Sequence, residues 1–106
     1  MRTTTNKYTP YFPIHPGEIL KDEIEYLGIS QRRLASEMGI SYTLLNEVLN
    51  GKRQVNAELA MLAEAALGLD ADTLVRMQAR YNMQVARQDK TFSERLAKIR
   101  KLTAML

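Results

Sequence analysis

The stretch that most constrains this chain is Gly39-Ile40-Ser41, a very short join between two segments of helical periodicity. Upstream, Ser30 is a good N-cap type, and Leu34, Ala35 and Met38 recur at helical spacing. Downstream, Ser41 is again a cap type, and Leu45, Val48 and Leu49 recur until Gly51. A connection that short forces the two helices to cross steeply. The crossing needs a small side chain at the contact, which Ala35 offers. It also needs a backbone that tolerates positive φ in the turn, which Gly39 offers. Ile40 can then plug the core from the turn.

With Leu45, Val48 and Leu49 turned inward, Tyr42, Thr43, Asn46, Glu47 and Asn50 are left on the outer face of the second helix. Those side chains suit base edges: Asn pairs with adenine in two places, Thr meets a thymine methyl, and Glu accepts from cytosine. The expected base contacts are Ser41, Tyr42, Thr43, Asn46 and Glu47. The expected phosphate contacts are Gln31, Arg32, Asn50, Lys52 and Arg53, helped by backbone amides at the start of the helix that follows Ser30. A plain helical hairpin with a solvated polar face would need none of this. Two caps, a glycine turn, a small crossing residue and cations just past the second helix coincide here, and they favour the nucleic-acid reading.

The rest of the chain reads as helix too. Strict alternation is absent and apolar residues recur at three and four. A first helix is expected from Pro16 or Gly17 to Leu27, with Leu20, Ile24 and Leu27 inward, Glu18 at its positive end and Gly28 as its stop. A fourth follows Asn56 and ends at Gly68. A fifth follows Asp70 and carries Leu74, Met77 or Gln78, Tyr81 and Val85 on one face. Thr91 to Glu94 has the capping-box pattern, so a sixth helix is expected to open with Thr91 as its cap and Phe92, Leu96, Ile99 and Thr103 or Leu102 as its stripe. The expected fold is therefore all-α: a five- to six-helix, repressor-like domain with a C-terminal helical extension. The organisation reads as a leader at 1–13, packed through Tyr8, Tyr11 and Phe12, the domain at 14–86 and a basic tail at 87–106.

Charge supports this only weakly. Fifteen Lys and Arg stand against 12 Asp and Glu, a net +3. The acids gather early, at Glu18, Asp22, Glu23 and Glu25, and the bases late. One histidine and no cysteine leave no zinc or haem set of the usual kind. His15, at the start of the first helix, reads as a local hydrogen-bonding residue. No phosphate loop or Ser-His nucleophile pair is present. The chain is expected to be no enzyme, to need no cofactor or metal, and to act in the cytoplasm without a membrane.

Ser30 to Arg53 resembles the helix-turn-helix of the phage-repressor (XRE-type, lambda-repressor-like) family. His15-Pro16-Gly17-Glu18, then Ile19-Leu20, resembles the opening of HigA-type antitoxins. Glu58, Ala60 and Ala66-Leu67-Gly68 stand where that family has them. Met77-Gln78-Ala79-Arg80-Tyr81-Asn82-Met83 is similar to its Leu-Gln-x-x-Tyr-Asp-Leu signature, with Asn82 for the usual aspartate and Thr73-Leu74 for an aromatic pair. The resemblance implies a type II antitoxin that neutralises a HigB-like mRNA-cleaving toxin and represses its own operon on double-stranded operator DNA. A stand-alone XRE-type repressor without a toxin is the alternative.

A single helix-turn-helix makes few base contacts, so a homodimer is expected, with recognition helices about 34 Å apart. Leu74, Val75, Met77 and Tyr81 are the candidate seam, unless that face only covers the domain's own core. The tail reads as a solvated helix docked by Phe92, Leu96 and Ile99, with contact to DNA or toxin as the other reading.

Overall fold

The computed structural model describes residues 13–106, and the leader reading, with Tyr8, Tyr11 and Phe12, lies outside the described residues except at Pro13. Six helices follow in order: α1 Pro16–Leu27, α2 Gln31–Met38, α3 Tyr42–Leu49, α4 Ala57–Leu67, α5 Ala71–Gln88 and α6 Lys90–Ala104. No strand occurs among the described residues. Among the described residues, no helix is long and apolar enough to cross a membrane.

Helix starts follow the cap residues. Ser30, Ser41, Asn56 and Asp70 each accept, through a side-chain oxygen, the amide three residues on, at 3.1, 3.0, 2.9 and 2.9 Å. Each such bond satisfies one of the amides that a helix start leaves without a partner. α1 uses a less common cap. The His15 Nδ1 accepts from the Gly17 amide at 2.9 Å, and the Glu18 carboxylate accepts from the His15 amide at 3.4 Å, closing a capping box. α6 departs from expectation: its cap is Asp89, whose Oδ1 accepts from the Phe92 amide at 3.0 Å, and Thr91 lies inside the first turn. Asp caps at least as well as Thr. Starting at Asp89 also lets one residue close α5 and open α6.

The α2–α3 turn is closed by Gly39 in the left-handed region, φ 70°. There the Gly39 amide donates to the Ser36 carbonyl at 3.2 Å and the Ile40 amide to the Ala35 carbonyl at 3.0 Å. This double bond pattern ends a helix while sending the next side chain back onto it. Ile40 is accordingly half-buried against the core.

α1 packs on α3 and α5, α2 on α3 and α4, and α4 on α5. Leu34, Leu45, Val48 and Ala60 are fully enclosed at the centre, with Leu20, Ile24, Ala35, Met38 and Leu74 around them. Burying one such leucine stabilises the fold by about 1.5–3 kcal/mol. α1 reaches α3 so closely at Gly17 that a Cβ there would collide with the Val48 carbonyl oxygen. Two expected inward positions, Leu27 and Val85, differ. Leu27, one residue from the helix stop, is 47% exposed. On α5 the core takes Gln78, while Met77 is only partly buried and Val85 is 44% exposed. α6 packs on α5 yet buries none of its residues, and of its expected docking stripe only Leu96 is half-buried. The one-residue link at Asp89 has extended backbone (φ −75°, ψ 109°) and breaks the helix between α5 and α6. The molecule's longest dimension is 57 Å.

Candidate nucleic-acid interface

α3 is held by its apolar side, with Leu45 and Val48 fully buried and Leu49 nearly so. That anchoring fixes the rotation of the helix and presents the opposite side outward. Ser41, Tyr42, Thr43 and Asn50 are exposed, and Asn46 and Glu47 are half-buried.

Asn46 is bonded to two other residues. Its Nδ2 donates to the Gln31 Oε1 of α2 at 3.0 Å. Asn50 Nδ2 donates to the Asn46 carbonyl at 2.9 Å and to its Oδ1 at 3.3 Å. An asparagine amide carries two N–H donors and two acceptor sites. These bonds use one of each and leave one of each, which is what an adenine edge requires.

Glu47 and Arg53, expected separately as a base reader and a phosphate binder, meet in one ion pair. Arg53 Nε donates to Glu47 Oε1 at 2.9 Å, with the side chains 56% and 37% exposed. A bare carboxylate facing a phosphate-rich duplex would be repelled. Arg53 neutralises it while keeping its terminal nitrogens for a second acceptor. The Arg32 guanidinium lies 4.7 Å above the Tyr42 ring and steadies it at the head of α3. Ser41 Oγ accepts from the Leu44 amide, which leaves its O–H to donate and one lone pair to accept. Lys52 is exposed, its amide tied to the Glu47 carbonyl at 2.8 Å. The expected residues thus form three linked groups: Gln31–Asn46–Asn50, Glu47–Arg53 and Arg32–Tyr42.

The helix-turn-helix family model matches residues 20–74, from α1 into α5. Virulence-associated protein I of Dichelobacter nodosus is 36% identical over 78 residues, which are 73% of this chain and 72% of that one. An addiction module antidote protein of a HigA family from Coxiella burnetii superposes with a TM-score of 0.72. It is 30% identical, over 82% of this chain and 94% of that one. The chain belongs to the HigA-type helix-turn-helix family. The Pseudomonas aeruginosa antitoxin HigA, solved with the higBA promoter, gives a TM-score of 0.66 at 31% identity, over 70% of this chain and 82% of that one.

In this HigA-type chain a second tier of residues, to which the sequence alone assigns no part in the site, secures the loop after α3. Gln78 Oε1 accepts from the Val55 amide at 2.8 Å, and Gln78 Nε2 donates to Asn82 Oδ1 at 3.0 Å. Asn82 Nδ2 then donates to Gln54 Oε1 at 3.2 Å. Here the departure from the family's aspartate has a physical consequence: an aspartate could accept from Gln78 but could not donate to Gln54. The available signal was Gln78 itself, a polar residue standing on an apolar stripe.

The expected dimer seam divides. Leu74 is 2% exposed and serves the chain's own core. Tyr81 packs edge-on against the His15 ring, centroids 4.9 Å apart, and is half-buried within the same chain. Val75 is 38% exposed, and Met77 shares a shallow groove with Ile14, Arg80 and Gln84.

Proposed function

We propose that this protein is the antitoxin of a type II toxin–antitoxin system. It binds operator DNA in the cytoplasm, represses its own operon and neutralises a HigB-like mRNA-cleaving toxin. The observation that carries the DNA half is Asn46, braced by Gln31 and Asn50 with one donor and one acceptor left over. The likeness to an antitoxin solved with its promoter supports the same reading. Tyr42, Thr43, Asn46 and Glu47 meet base edges, with the Ser41 O–H as a further donor. Gln31, Arg32, Asn50, Lys52 and Arg53 meet phosphates. The protein acts as a homodimer, and with Leu74 and Tyr81 committed to the monomer, Val75 and Met77 are what α5 brings to the seam.

Two measurements test this. Binding to the DNA upstream of its own gene should weaken steeply as salt rises, because phosphate contacts release counterions. A flat salt response would contradict phosphate-led binding. Co-expression should restore growth to cells expressing the adjacent small toxin. Operator binding without rescue would leave a stand-alone repressor.

A further inference from the structure

His15 is the one histidine in the chain, and it is 4% exposed. Its ring sits where three parts of the molecule meet. Nδ1 accepts from the Gly17 amide at the start of α1. The ring also shares a groove with Gly51, Lys52 and Arg53, beyond α3. Its flank packs on Gly51, where a Cβ would lie 3.7 Å from the imidazole Cγ and 3.9 Å from Cδ2, and the Tyr81 ring of α5 meets it edge-on. With Nδ1 used as an acceptor, the neutral ring carries its proton on Nε2. Gln78 holds the far end of the same loop through the Val55 amide. The segment carrying Lys52 and Arg53 is therefore pinned at both ends by side chains that are themselves buried.

We propose that His15 is a positioning residue for the Lys52–Arg53 loop: the neutral ring ties the loop to α1, and protonation at Nδ1 breaks that tie and lowers affinity for DNA. This rests on the reading of Lys52 and Arg53 as phosphate contacts. A proton on Nδ1 would point at the Gly17 N–H, so two donors would face each other and the α1 cap would be lost. The ring would have to turn, and its packing on Gly51 and Tyr81, which seats the loop, would be lost.

The charges around the ring do not alter this. From α1, Glu18 is the nearest, and it favours the charged imidazole. Lys21, Asp22 and Glu25 line the same groove further along. From the loop come Lys52 and Arg53, and from α5 the Tyr81 phenol. Leu49, the α3 residue in the groove, and Asn50, which follows it, are uncharged. Burial outweighs the Arg53 and Glu18 contributions and holds the His15 pKa below its ordinary value.

The sign of the effect makes it testable. A cation added near a phosphate-binding loop should ordinarily strengthen DNA binding on acidification. The clamp gives the reverse. Operator affinity of the untagged full-length protein, measured at constant ionic strength from pH 7.5 to 5.0, should fall by about threefold or more. The ordinary histidine pKa of about 6.5 caps the fall near thirtyfold. His15→Asn, which keeps an N-cap acceptor but cannot titrate, should flatten the profile. Wild-type affinity that is constant or rises on acidification would overturn the proposal, as would an unchanged profile in His15→Asn. If that variant does not fold, the wild-type NMR spectrum decides: the single imidazole Cε1–H signal and the Gly51, Arg53 and Val55 amides should titrate with one midpoint. Loop amides that stay still while the imidazole titrates would sink it. Absence of DNA binding at pH 7.5 would instead count against the functional reading, and the NMR titration would still judge the clamp.

Discussion

Asn46 and Gln31 stand fifteen positions apart in the chain and share a 3.0 Å hydrogen bond across the crossing of α2 and α3. The bond fixes which way the Asn46 amide faces before any ligand arrives. A preset polar group loses less side-chain freedom on binding than a floppy one.

Asn46→Ala should cost about 1–3 kcal/mol in operator affinity and relax preference at one base pair. Gln31→Ala should weaken the same site. The double variant should lose less than the sum of the two, because each residue acts partly through the other. Competition binding against operators changed one base pair at a time reads both effects. Strict additivity would separate Gln31 from base reading.

Arg53→Ala should weaken operator and random DNA alike and make the logarithmic salt slope shallower by about 0.9. Its pairing with Glu47 is exposed, so the fold itself should lose under about 1 kcal/mol. Fluorescence anisotropy across a salt series, beside urea unfolding, distinguishes the two effects.

Leu45→Ala removes a fully buried side chain from the apolar side of α3 and should destabilise the fold by about 2–5 kcal/mol. The urea midpoint should drop with the slope preserved, as for a loss of stability without a change in cooperativity. Leu102→Ala, on the exposed side of α6, should leave that midpoint within about 0.5 kcal/mol.

Gly17→Ala should destabilise by about 1–3 kcal/mol or more, since the added methyl meets the Val48 carbonyl. Backbone oxygen cannot rotate away as a side chain would, so α1 and α3 must separate. Thermal unfolding of this variant beside wild type checks it.

Stability should also depend on pH in two windows. The His15 pKa lies below 6.5 in the fold because of burial. The unfolded chain therefore takes up the proton first, so this contribution is full above that value and declines as pH falls below it. Asp70 is held below its ordinary 3.8 by the Thr73 hydroxyl and amide, so its contribution fades only at stronger acidity. Denaturation midpoints followed from about pH 8 down to about pH 1.5 should show both steps, and His15→Asn should remove the first alone.

The parts legible in the sequence were those that local chemistry decides. Ser30, Ser41, Asn56 and Asp70 cap because a short polar side chain can reach an amide three residues on. Ala35, Gly39 and the Leu45/Val48/Leu49 side of α3 followed from the shortness of one turn. What stayed hidden depends on residues brought together from afar. Nothing near Glu47 in the chain announces Arg53 as its neutralising partner. Nothing near Val55 announces Gln78, which is twenty-three positions away. The choice of Asp89 over Thr91 was missed because two acceptable caps lay close together, and the shape of the α5–α6 junction decided between them.

That junction has a geometric consequence. Because a single residue ends one helix and begins the next, α6 has no slack with which to absorb changes in α5. Adding one residue to α5 would turn α6 about 100° around the α5 axis and carry it about 1.5 Å along it. The length of α5 is thus a dial for the azimuth of the tail. An insertion far from the α2–α3 crossing would leave the helix-turn-helix intact and aim α6 at a different neighbour.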